Sequence, residues 1–135
     1  MEASLKAFHD ANAREPWAPG KVDCCMVLAD WAIWLGHIDP AEHMRGTYSD
    51  EAGFFEIIDM YGGLINLVAS RADLIGERVT MPSLGAIGVV GSRNNIRRQF
   101  GAIHDGRRWL VRTARGFDTV CAAQLAAWRI PCLNS

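Results

Sequence analysis

The segment that most constrains the fold is residues 99–113, QFGAIHDGRRWLVRT, in which two apolar runs flank an Asp-Gly pair. Asp-Gly between such runs is a strong short-range signal for a β-hairpin. Pairing across Asp105-Gly106 gives one candidate core face, made of Phe100, Ala102, Trp109 and Val111. We predict two more strands, at 84–90 and 125–130, although the alanine-rich approach to the second also permits a helix.

The first half of the chain carries helical patterns instead. Residues 3–13 predict a short helix, which the prolines and glycine of 15–20 end. Asp23 then fits an N-cap, with Cys24 at the first helical position and Gly36 at the end. One face of this helix is apolar at i, i+3, i+4, i+7 and i+11, with Cys24, Val27, Leu28, Trp31 and Leu35.

Three further helices are predicted before the strands. A short one starts at Asp39-Pro40 and ends near Gly46, the next runs from Ser49 to Gly62-Gly63, and the last covers 64–74. Helices followed by antiparallel strands indicate an α+β fold. With 135 residues, half of them hydrophobic, the chain is expected to form a single domain over 1–135.

The composition indicates which cellular compartment and which cofactors to expect for this chain. No apolar run approaches the roughly 20 residues needed to cross a bilayer, and the N-terminus lacks a secretory signal pattern. We therefore expect no membrane partner, and a protein that stays in the cytoplasm or is exported by a larger assembly. The four cysteines include no CxxC pair, and no histidine pair has ligand spacing. They are interpreted as thiols, with no metal and no cofactor.

Charge is divided unevenly along the chain. Residues 1–75 carry 12 acidic and 5 basic side chains, whereas 76–135 carry 3 and 9. Such asymmetry indicates that the halves face each other or that one half meets a charged partner. Arginines surround the hairpin and are interpreted mainly as a solvated face, with a contact to an acidic partner as the alternative and nucleic acid as the less favoured one; they are Arg93, Arg97, Arg98, Arg107, Arg108, Arg112 and Arg115.

Cys24 is the candidate reactive residue. A thiol at the first turn of a helix lies at the positive end of the helix dipole, which favours the thiolate. The alternative is burial, because free cysteine behaves as a small hydrophobic residue. Cys25 would lie about 100° further around a helix, so we do not expect the two thiols to share a role.

Asp23-Cys24-Cys25 before an apolar helix and an antiparallel sheet resembles the NlpC-like branch of the papain-like cysteine peptidases, whose motif is Asp-Cys-Ser. The segments PWAPGKVDCCMVLADW, GHIDPA, RGTYSD, YGG and AWRI resemble an uncharacterised branch of that group often encoded among phage tail genes. The resemblance implies a papain-like fold, Cys24 as nucleophile, Asp23 as helix cap and a peptidoglycan or other peptide as substrate. Trp17 would line the cleft beside Cys24.

The sequence departs from the family pattern where the base should be. The strand His-Val-Gly-Ile-Tyr corresponds to Gln99-Phe100-Gly101-Ala102-Ile103, and the acid of the Gly-Asp strand is replaced by Ala86. An amide takes no proton at neutral pH, although Gln99 can donate a hydrogen bond to an oxyanion. His9, His37, His43 and His104 all lie away from the expected position, His104 being the nearest alternative.

Two functions follow from these residues. The first is a phage-tail-associated cysteine hydrolase of cell-wall peptide amides, with acyl transfer as a variant of the same chemistry. The second is a catalytically inactive module that binds a peptide, or has a structural or assembly role among phage tail proteins.

Overall fold

The computed structural model describes residues 1–95 and 98–134, which form an α+β domain. Arg97, one of the arginines assigned to the solvated face, lies outside the described residues. Within them, four helices precede six strands. The helices are α1 (Glu2–Ala13), α2 (Met26–Trp34), α3 (Glu51–Met60) and α4 (Leu64–Ile75). The strands are β1 (Glu77–Val79), β2 (Ile87–Ser92), β3 (Gln99–His104), β4 (Trp109–Thr113), β5 (Gly116–Val120) and β6 (Ala122–Arg129).

All six strands belong to one antiparallel sheet with the order β1-β6-β2-β3-β4-β5. The predicted hairpin is confirmed, because β3 pairs with β4 through His104 opposite Trp109 and Ile103 opposite Leu110. The last apolar segment is a strand and not a helix, and it lies between β1 and β2 inside the sheet. The strand predicted from residue 84 begins at Ile87, since Gly85 has a φ of 88° in the preceding turn.

The prediction that α2 begins at Cys24 is wrong by two residues. Cys24 and Cys25 form a turn, and the helix begins at Met26. Asp23 nevertheless caps it, because its Oδ1 accepts from the backbone N–H groups of Cys25 and Met26 at 2.9 and 2.8 Å. The helix ends as predicted, with Gly36 at a φ of 101°.

The short helix predicted between Asp39 and Gly46 does not form. The segment is a series of turns in which Ala41 O accepts from both Met44 N and Arg45 N, so a single helical turn forms and stops. Asp39 does cap that turn through Ala41 N, at 2.9 Å. Gly46 N donates to Gly20 O, which directs the chain toward the loop before α2 instead of onward into a helix.

The two faces of the sheet belong to two different apolar clusters. Ile87, Val89 and Ile103 pack in the larger cluster with side chains of α1, α2 and α4. The alternate residues join the second cluster, which contains the whole predicted hairpin face and Cys24. The predicted apolar face of the hairpin and the predicted apolar face of α2 therefore both lie in the hydrophobic core. Cys24 lies where the helical half meets the second face.

The described residues contain no single helix that is both long and apolar enough to span a bilayer. The consecutive helices α3 and α4 meet the length and composition requirement only together, and the chain bends by 69° between them.

Arg112 corrects the interpretation of the arginines as a solvated face. It is 1% exposed, and its guanidinium donates to Asn12 O at 3.0 Å, to Glu15 O and to Thr113 O. Arg112 adds a charged donor to Asn12 O, which also accepts from Glu15 N, and to Glu15 O just beyond the end of α1. Arg112 therefore joins α1 to β4, while Arg107, Arg108 and Arg115 are exposed around the hairpin turns.

We expect Arg112→Gln to lower the free energy of unfolding by about 2–3 kcal/mol, because the α1 carbonyls lose a charged donor. Amide hydrogen exchange in residues 2–13 should accelerate more than exchange in β2. Arg115→Gln, at an exposed position, is the control and should change stability by at most about 0.5 kcal/mol. Equal effects of the two substitutions in chemical denaturation would contradict the role of Arg112.

Candidate functional site

Asp23 is the centre of the hydrogen-bond network at the start of α2. Besides its two capping bonds, its Oδ2 accepts from Gly20 N at 2.9 Å and from the Tyr48 hydroxyl at 2.5 Å. The side chain is 4% exposed, and its four hydrogen bonds engage about all the lone pairs that a carboxylate offers. Asp23 is thus the cap that the sequence predicts, and it is not available as a proton acceptor.

Gly20 makes this network possible through its backbone. Its φ is 86°, and a Cβ there would lie 2.0 Å from Tyr48 O. Only glycine fits such a close approach in this conformation. Sequence reasoning did not single out Tyr48, whose only signal was its place in the quoted RGTYSD segment.

The turn containing Cys24 lies directly on β3. A Cβ on Gly101 would come within 2.5 Å of Cys24 O and 2.9 Å of the Leu28 side chain. Glycine inside a strand often marks such a close backbone approach. Gln99 precedes Gly101 by two residues, so it lies on the same face of β3, roughly 7 Å along the strand.

The two thiols are neighbours that affect each other's pKa, and the expectation that they have separate roles stays a prediction. They precede the helix, so the 100° spacing of helical residues does not separate them. The neighbouring Cys25 thiol lowers the pKa of the Cys24 thiol, against the opposing effect of burial, and the Gly101 backbone acts in the same direction as Cys25. The same interaction, together with burial, raises the pKa of Cys25. Cys24 is 8% exposed.

The histidines are engaged elsewhere. Burial lowers the pKa of His104, whose Nδ1 accepts from Gly106 N at 3.1 Å and whose ring packs against Trp109. His9 stacks on Phe117, His37 contacts Pro131 O, and His43 lies beside Tyr61 and Arg71. Among residues 1–95 and 98–134, no histidine side chain forms a hydrogen bond or a ring contact with Cys24 or Cys25. Within those ranges, neither thiol has an imidazole base beside it.

Trp17 lies in the loop between α1 and α2 and is 38% exposed. Its indole makes no hydrogen bond or ring contact with any residue that the structure describes. Its place in a cleft beside Cys24 stays a prediction.

Cys25, and not Cys24, lines an apolar pocket. The walls come from α2, α3, α4 and the 40–48 segment, with Met26, Tyr48 and Arg71 among them. The sequence did not reveal this pocket, because its lining residues come from five separate segments, Ile87 of β2 included. Among the described side chains, no group of three or more histidine, cysteine or acidic residues is arranged to hold a metal ion.

Fold and site together define an α+β domain with a paired thiol at the start of its most buried helix. A model of a domain of unknown function, DUF6950, matches residues 1–130, and the chain belongs to that family. No curated protein and no solved structure matches it.

Replacing Asp23 tests the network. We expect Asp23→Ala to lower the free energy of unfolding by roughly 2–4 kcal/mol, since several buried donors lose their acceptor at once. Asp50 is the matched control: it caps α3 through one exposed bond to Gly53 N, so Asp50→Ala should remove about 1 kcal/mol. Urea denaturation measures both, and equal losses would contradict a central role for Asp23.

The Tyr48 hydroxyl gives the fold a dependence on alkaline pH. Burial, followed by its bond to Asp23, raises the pKa of Tyr48. The folded state then holds this proton more tightly than the unfolded chain, in which tyrosine titrates near pH 10. Stability from this group is complete below pH 10 and is lost as the pH rises above it.

We therefore expect the unfolding free energy of the wild type to decline above about pH 10 more steeply than that of Tyr48→Phe. Tyr61→Phe removes a hydroxyl that lies near the surface and should keep the wild-type slope. Parallel curves for the wild type and Tyr48→Phe would show that this hydroxyl does not carry the effect.

Proposed function

We propose that the chain is an NlpC-like, phage-tail-associated domain that acts as a catalytically silent peptide-binding or assembly module. The observation that carries this proposal is the environment of Cys24. Cys24 is buried, the neighbouring Cys25 thiol lowers its pKa against the effect of burial, and no histidine among residues 1–95 and 98–134 forms a hydrogen bond or ring contact with it.

The arrangement around Gly101 supports a papain-like relationship. In the resemblance, Gln99-Phe100-Gly101 corresponds to the His-Val-Gly of NlpC-like enzymes, and in this chain Gly101 lies against the Cys24 turn. An Asp-capped helix following the cysteine, packed on an antiparallel strand, is the arrangement that this resemblance implies. The likeness of the quoted segments to proteins encoded among phage tail genes supports the association with tails.

The chemistry of amide cleavage explains why we place a silent module first. Attack by a thiolate on an amide also requires a proton for the departing amine, which an imidazolium supplies in cysteine peptidases. Gln99 supplies none at neutral pH. The Cys25 thiol is a poor acid because its pKa is raised. A tetrahedral adduct on Cys24 would therefore expel the thiolate again in preference to the unprotonated amine.

The lowered pKa of Cys24 favours a second candidate, a cysteine hydrolase or acyl transferase acting on cell-wall peptides. Hydrogen bonds from Cys25 and Gly101 would then replace imidazole in stabilising the thiolate. In this candidate Gln99 donates to the oxyanion and Trp17 contacts the substrate. A pocket that presents Cys25 and not Cys24 weighs against it.

Alkylation kinetics distinguish the two candidates. Cys121 and Cys132 are exposed and provide internal reference rates. For a silent module, iodoacetamide should modify Cys24 more slowly than Cys121 at every pH from 6 to 9, because burial blocks access. Mass spectrometry of the peptide containing both Cys24 and Cys25, compared with that of Cys24→Ser, assigns the label.

Zymography on bacterial cell walls completes the test. The silent module predicts no clearing by either the wild type or Cys24→Ser. Clearing by the wild type alone, with Cys24 labelled faster than Cys121 below pH 8, would overturn it and establish the hydrolase.

A further inference from the structure

The apolar pocket beside Cys25 has a chemical character that neither candidate function uses. Side chains of α2, α3, α4 and the 40–48 turns line it. Its interior is hydrocarbon, with Leu28, Ala32, Phe54, Leu67 and Val68 among the walls. The Tyr48 hydroxyl, which could offer a polar contact, is already bonded to Asp23.

Arg71 lies where this pocket meets a shallow depression on the surface. It lines both, together with Pro40 and Ile75. Its Nε is buried and has no hydrogen-bond partner among the described residues, while its Nη2 lies 3.1 Å from His43 Nε2. Buried donors are paired in the great majority of proteins, so this N–H is suited to an acceptor brought by a ligand.

The acidic side chains nearby do not supply that acceptor. Asp39 and Glu42 also line the depression, but the carboxylate of Asp39 is bonded to Arg45 at 2.6 Å and to Ala41 N. Within the part of the chain that the structure describes, no carboxylate forms a salt bridge with Arg71. Arg71 therefore lines the pocket without a carboxylate in direct contact among the described residues, although Asp39 and Glu42 lie along the same depression.

We propose that this pocket is a binding site for an aliphatic monocarboxylate, with the hydrocarbon chain inside and the carboxylate on Arg71. A guanidinium and a carboxylate form strong charge-assisted hydrogen bonds, and the Arg71 Nε–H would donate one of them to the ligand. Ile38 and Leu74, which are 88% and 74% exposed, add apolar surface around the depression. A polyanion is disfavoured there by Asp39 and Glu42, and a nucleobase would find no polar partners in the walls.

Calorimetric titration of the full chain with sodium octanoate and with octan-1-ol tests the site. Octanoate should bind saturably with one site per chain, and at least tenfold more tightly than the alcohol, which lacks the charge. From butanoate upward, affinity should rise by about fourfold per methylene until the pocket is full. Amide shifts in the ¹H–¹⁵N spectrum should be largest in α2 and α4.

Two variants make the assignment specific. Arg71→Gln should reduce octanoate affinity to that of octan-1-ol, whereas Arg107→Gln, which removes an exposed arginine of the hairpin turn, should bind as the wild type does. Val68→Trp keeps Arg71 but fills the pocket, so it should abolish binding of both compounds. Thermal melts confirm that each variant is folded.

The proposal is overturned if octanoate does not bind saturably, if the alcohol binds equally well, or if Arg71→Gln and Arg107→Gln behave alike. Should Arg71→Gln fail to fold, unchanged octanoate binding by Val68→Trp overturns it alone. The readout is binding, so its result is independent of whether Cys24 is catalytic.

Discussion

The buried carboxylate of Asp23 is the constraint on which the helical half depends. One residue joins the loop at Gly20, the start of α2 and the turns at Tyr48. A buried charge is tolerated only when its hydrogen bonds are satisfied, and here the donors are backbone amides and a phenol. The hydrogen bonds of Asp23 therefore hold the cysteine turn in its position.

The second constraint is the contact between that turn and β3. Gly101 lets the backbone of Cys24 approach the strand closely, and Leu28 packs at the same point. The side chains of Cys24 and Val27 then enter different clusters, one on each face of the sheet. Arg112 joins the sheet to the helices at a second place, because its guanidinium donates to carbonyl oxygens at the end of α1 and just beyond it.

Much of this architecture can be predicted from the residues, for reasons that differ by element. The hairpin and the stripe of α2 were predicted correctly because alternation and helical spacing are local patterns. β1 and β5 were missed because they are short, largely exposed and polar, and only pairing with β6 and β4 makes them strands. The helix at 39–46 was overpredicted because capping residues are also turn residues. The positions of Tyr48 and Arg112 depend on contacts between distant segments, which no local pattern encodes.

Cys25 connects the thiol chemistry to the pocket. Its thiol is the main cause of the lowered pKa of Cys24, and its side chain also lines the apolar cavity. A group in the cavity that accepted the Cys25 proton would compete with Cys24 for it and make the Cys24 thiolate less stable. A purely hydrocarbon occupant would instead remove water from Cys25 and strengthen the pair, because a hydrogen bond gains from a lower local dielectric. The chemistry of a group in the pocket thus bears on the pKa of Cys24 through its neighbour Cys25.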